Sequence, residues 1–155
     1  MWPSAWPSAA RAIATTLAAS VTAARIRDES AFHEHTAELA DLPTEQVTIV
    51  ASAVIRELLE AAHPDGLAAD DIRAVLTDVL RGAIPWLPTL DPTTVATALT
   101  GALGIDEHPD QPRTDPHPAA VLLIGHLADT TRIPIEDSIV RAISEVARAE
   151  TVEMP

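Results

Sequence analysis

The chain has 155 residues and a net charge of −13, with ten arginines, 23 acids and six histidines. It contains no cysteine, tyrosine, lysine or asparagine and one phenylalanine, Phe32. Disulfides, thiolate metal sites, Schiff-base lysines, P-loop lysines and tyrosine acids are therefore excluded, and the negative charge disfavours binding to phosphate backbones.

Lysine, tyrosine, asparagine and phenylalanine have AT-rich codons, and their absence or scarcity points to a GC-rich bacterial genome. The length suits one compact domain that buries its own core. Charge divides the chain unevenly. Residues 1–27 carry Arg11, Arg25 and Arg27 and no acid, whereas all 23 acids lie from Asp28 onward against seven arginines. The expected organisation is a cationic tail or helix over 1–27, an acidic helical domain over 28–150 and a frayed tail at 151–155. No run of 18 apolar residues is present, so a transmembrane helix is not expected and the expected location is the cytoplasm.

The chain opens with WPSA twice, at 2–5 and 6–9. Its prolines delay helix formation until about Ala9. A helix to Ile26 then has a thin stripe at Ile13, Leu17, Val21 and Ala24. Trp2 and Trp6 before it suit anchors in a contact surface, with Arg11, Ile13 and Leu17 following on the same element. The competing reading is a mobile tail leading into an ordinary packed helix.

Residues 30–40 predict a short helix with Ser30 as its cap. A helix over 44–62 carries a wide stripe at Val47, Val50, Val54 and Leu58, flanked by Ala51, Ile55 and Leu59. After His63-Pro64-Asp65-Gly66, a helix over 69–81 has Ile72, Val75, Leu76, Val79 and Leu80 in register, with Gly82 as its expected C-terminal cap. This helix–turn–helix is not a DNA reader, because Asp70 and Asp71 occupy the turn that would face phosphates. Both acids suit the positive end of the helix dipole.

Residues 83–90 read as an extended connector. There Trp86 is either an apolar plug or an exposed partner anchor. Asp91 and Pro92 then start a helix that ends at Gly104. Four prolines make 105–118 a polar loop. Helices over 119–129 and 135–149 close the chain, the first apolar nearly all round. No segment alternates like a strand, so the expected fold is an all-α bundle of six to seven short helices arranged as helix hairpins. Segments 53–81 and 119–148 can be aligned as a weak repeat, with Ile72, Leu76 and Val79 falling on Ile139, Ile143 and Val146.

Histidines and carboxylates are the available acid–base groups. His33, Glu34, His35 and Glu38 cluster in one helix, and Glu60 and His63 have Glu-x-x-His spacing. A metal site needs several convergent ligands, so solvated polar faces are the expected reading and no metal or cofactor is assigned. His63, His108 and His117 each precede proline and are expected in loops. His126 is expected in the core with Asp129 as partner. No nucleophile elbow or phosphate-binding loop is present. The sequence therefore favours a non-enzymatic adaptor, scaffold or accessory subunit, docking a protein partner or another copy through Trp2, Trp6, Arg11, Ile13, Leu17 and Trp86. An acidic regulator covering a basic surface of a nucleic-acid enzyme is the alternative, a His/Glu metal enzyme a weaker one. A membrane surface is an alternative occupant for residues 1–27.

Overall fold

The computed structural model describes residues 2–105 and 115–153, with side chains through residue 150. Most of the proline-rich loop expected at 105–118, including His108, lies outside the described residues, as do 154 and 155. The described residues form seven helices: α1 (Ser8–Arg25), α2 (Glu29–Ala40), α3 (Thr44–Ala62), α4 (Ala69–Ala83), α5 (Pro92–Ala102), α6 (His117–Thr131) and α7 (Ile135–Glu153). Among the described residues there is no strand. Among the described residues no helix is long and apolar enough to cross a membrane.

Local chemistry explains where the helices start and where expectation missed. Asp28, not Ser30, caps α2: its carboxylate accepts the Ala31 N–H at 3.0 Å. Aspartate two residues earlier satisfies an orphan donor, which places Ser30 inside the first turn. Asp91 caps α5 in the same way, accepting from Thr93 at 2.9 Å. In α4, Asp71 folds back to accept the Ala68 N–H at 2.8 Å. Ala68 has no side-chain oxygen to return the bond, so only half a capping box forms, and the Asp71 N–H donates instead to Ala68 O at 3.0 Å.

Gly82 is not a cap, because α4 runs through it to Ala83. The connector behind it is turned rather than extended, with Leu87 N–H donating to Ala83 O at 2.7 Å and Leu90 N–H to Leu87 O at 3.1 Å. Helix α6 starts at His117, two residues before the expected start, with Pro118 in its first turn. Proline costs nothing there, since the first-turn N–H groups have no helical acceptor. Helix α7 continues through residues 151–153, which were expected to fray.

The centre of the bundle is α3 against α6. Val54, Leu58, Leu123, Ile124 and Leu127 are all essentially inaccessible. Each such side chain contributes about 1.5–3 kcal/mol by leaving water. Helix α1 packs on α2, α6 and α7; α5 packs on α3 and α6; α4 lies on α6 and α5. The two turn-linked pairs do not close lengthwise on themselves. Instead α7 packs on α3 and α4 packs on α6, so each pair of the weak repeat lends its second helix to the first helix of the other.

Polar groups in the core are mostly satisfied within their own helix. Ser20 donates to Thr16 O and Thr36 to Phe32 O, both at 2.8 Å. Ser138, whose Oγ is buried without a partner among the described residues, and Glu57 are exceptions. Glu57 Oε1 meets Arg141 Nη1 at 3.4 Å, while Oε2 is buried without a partner. Burial pushes the Glu57 carboxyl above its ordinary range, against the opposing pull of Arg141, and Glu145 and Glu60 add to the rise. The folded state then holds a proton that the unfolded chain has released. The contribution of Glu57 to stability is therefore greatest below its unfolded pKa and falls as pH rises from about 4.5 towards the raised folded value. Urea midpoints measured across that range should show wild type losing stability relative to Glu57→Gln as pH increases.

Candidate functional site

The structure divides the predicted contact residues into two groups. Ile13 and Leu17 are 2% and 0% exposed, within the common core. Their stripe is occupied by the bundle itself, which corrects their assignment to a partner surface. Arg11 is exposed and makes no ion pair among the described residues.

Trp2 and Trp6 lie against α1. Their rings stack with centroids 6.0 Å apart and planes 13° from parallel. A turn places them, with Trp6 N–H donating to Pro3 O at 3.2 Å. Trp2 is then fixed by its indole N–H, which donates to Thr15 Oγ1 at 2.9 Å. The seven-residue proline segment is therefore folded back along the helix and not extended from it. Both indoles are partly buried against the core and keep part of their surface exposed. Trp2, Ser4, Ser8, Arg11, Ala12 and Thr15 line an open groove of about 480 Å³.

The second site forms at the other end of α1. Its walls are the α1–α2 junction, α4 and α6. Helix α1 ends in a Schellman turn: Arg27 N–H donates to Ala24 O at 3.1 Å and Asp28 N–H to Ala23 O at 3.0 Å. That turn needs a left-handed residue, and Arg27 takes it with φ 57°. Helix α5 ends in the same pattern, with Gly104 at φ 77° in the equivalent place.

Beyond the turn, Arg25 crosses onto α6. Its stem passes Gly125 at a distance where a Cβ would make only ordinary contact, 3.6 Å from Arg25 Cγ. The guanidinium reaches Asp129 at 2.6 Å. The expected His126–Asp129 pairing is thus replaced by Arg25–Asp129, and His126 is half buried at the cleft rather than in the core. Asp78, Val79 and Ala83 of α4, Leu122 of α6 and Trp86 complete a cleft of about 160 Å³. Trp86 is half buried and meets Phe32 edge-on at 5.3 Å, so it supports the core with one edge and lines the cleft with another part. Of the cleft residues, only Trp86 is named by the sequence as a contact residue; His126 and Asp129 are expected as a core pair. The others come from three separate segments, and no spacing within one segment marks them.

The remaining histidines do not form a centre. His33 lies 3.6 Å from Glu29 and His35 3.6 Å from Glu38, as separate pairs within α2. His63 closes α3, with Nδ1 3.1 Å from Leu59 O and Nε2 3.8 Å from Asp71. His117 is not a loop residue: it is buried in the first turn of α6, with Nε2 3.5 Å from Thr48 Oγ1. Among the described residues, no three His, Asp or Glu side chains converge as metal ligands do.

Arginine at a left-handed position costs about 1–2 kcal/mol relative to the right-handed region. Glycine escapes that cost but adds freedom to the unfolded chain. Arg27→Gly is expected to raise stability by a net of about 0.5–1 kcal/mol. Arg132→Gly, at the other left-handed arginine with φ 59°, should do the same. Urea denaturation of both variants checks this.

Comparison with known protein families, with curated proteins and with solved structures finds no match for this chain. The class that can be stated is that of its fold, a seven-helix all-α bundle.

Proposed function

We propose that the protein is a non-enzymatic binding module, an adaptor or accessory subunit that docks a protein partner through the tryptophan pair at its N-terminus. The observation that carries this reading is the stacked Trp2–Trp6 pair, fixed on α1 by the Trp2–Thr15 hydrogen bond with part of each indole exposed. Tryptophans are scarce in this chain, with three in all, and two of them stand on this outer face. Large aromatic side chains fixed before binding contribute contact area at little further entropic cost, which is why they dominate binding hot spots. Arg11 beside them supplies a cation without a competing carboxylate in residues 1–27. The contact element is accordingly Trp2, Trp6 and Arg11, with Ile13 and Leu17 holding α1 to the body.

The test compares wild type with a Trp2→Ser/Trp6→Ser variant. Proteins retained from a native-host lysate are identified, then binding is measured again with purified components. The expected result is one stoichiometric partner whose affinity falls at least about 30-fold in the variant, a loss of about 2 kcal/mol. Equal binding by both proteins, or no partner for either, contradicts the proposal.

A further inference from the structure

We propose that the cleft between the α1–α2 junction, α4 and α6 binds a small zwitterion of the α-amino acid class. The inference is independent of the tryptophan pair, which lies at the opposite end of α1.

Charge bookkeeping within the cleft leads to the ligand. Four ionised side chains line it: Arg25, Arg27, Asp78 and Asp129. Arg25 and Asp129 neutralise each other at 2.6 Å. Arg27 and Asp78 make no ion pair among the described residues, so one cation and one anion are left facing the same space. A simple anion would satisfy Arg27 but meet the Asp78 carboxylate. A simple cation would do the reverse. A molecule carrying both charges satisfies both, with its carboxylate on Arg27 and its ammonium on Asp78. The half-buried His126 ring makes no hydrogen bond among the described residues and offers a further polar contact to the carboxylate.

Size and polarity narrow the class. The cleft measures about 160 Å³. The cleft is partly open to solvent, and drug-sized ligands need at least about 300 Å³. It therefore favours a compact skeleton that carries both charges. Most of the surface that the cleft presents is polar, and Val79, Leu122 and the Trp86 indole supply its smaller apolar part. That part leaves a place for a short aliphatic side chain beside the two charges.

The Arg27 backbone points the same way. The same turn at the end of α5 uses glycine, where no side chain is presented to a cleft. At the end of α1 an arginine occupies the strained position and lines the cleft. Arg132 takes the same left-handed conformation at the end of α6 without lining the cleft, so it is the placement of the Arg27 side chain, not the strain, that marks the site.

The experiment titrates the full chain with L-leucine and with a pool of the other proteinogenic amino acids, following the indole N–H resonances and the thermal midpoint. Isovalerate, which lacks the ammonium, and isoamylamine, which lacks the carboxylate, are the single-charge controls. The expected result is a shift of the Trp86 indole and a raised midpoint with an aliphatic amino acid, with both controls at least about tenfold weaker. Arg27→Gln and Asp78→Asn should each weaken the amino acid by a similar factor, with circular dichroism unchanged. Trp2→Ser/Trp6→Ser should leave it unaffected, which separates failure here from failure of the docking proposal. A control binding as tightly as the amino acid, or no Trp86 response to any amino acid at millimolar concentration, overturns the assignment.

Discussion

Phe32→Ala is expected to destabilise the fold by about 3–5 kcal/mol, enough to leave a marginally stable domain largely unfolded. Phe32 is the only phenylalanine in the chain and is 2% exposed. It lies in the first turns of α2 and meets Trp86 at 5.3 Å with planes 78° apart, the edge-to-face geometry that aromatic quadrupoles favour. Truncation removes a large apolar body and opens a cavity between α2 and the α4–α5 connector. It also withdraws the support of Trp86, so the cleft should lose its shape in any fraction that remains folded. Urea denaturation followed by tryptophan fluorescence measures both effects. A loss below about 1 kcal/mol would show that Phe32 does not join these elements.

Leu123→Ala should cost about 2–5 kcal/mol, towards the upper part of that range. Its side chain is fully buried on α6, the helix that touches α1, α2, α3, α4 and α5. A void there is walled from several directions by separate helices, so the surroundings cannot collapse into it by moving one element. Cost at such sites rises with the volume of cavity that persists. Leu80→Ala is the contrasting case. Leu80 lies on α4, is only partly buried and should cost clearly less. Equilibrium denaturation of the two variants side by side tests whether α6 is the axis of the core.

Much of the fold is legible in the sequence because helix packing writes a period of 3.6 into it. The stripe Val47, Val50, Val54, Leu58 fixes the inner face of α3, and the all-round apolar run at 121–127 marks α6 as the central helix. Errors fall where two local signals compete. Ser30 and Asp28 are both good caps, and only the fold decides between them. Prolines at 116 and 118 read as loop, yet the second is tolerated in a first helical turn. Gly82 resembles a stop signal, but the helix has one residue left before its turn.

The sites were less legible for a different reason. A stripe such as Ile13 and Leu17 has the same periodicity whether it faces a partner or the bundle's own core, and the bundle claims it here. The cleft draws Arg27 from a turn, Asp78 from α4 and His126 from α6, positions nearly 100 residues apart at the extremes. Such proximity is a property of packing alone. Trp2 and Trp6 were visible because two large aromatics in a chain this poor in them stand out by composition, although their stacking on α1 was not.

The three tryptophans report the two ends of α1 separately, Trp2 and Trp6 the docking face and Trp86 the cleft. The most direct measurement is a ¹H–¹⁵N spectrum of the indole N–H groups, assigned by single tryptophan substitutions, while the captured partner is added. The account predicts that the Trp2 and Trp6 signals shift or broaden to saturation while Trp86 stays in place. A partner that moves Trp86 and leaves Trp2 and Trp6 unchanged would contradict it.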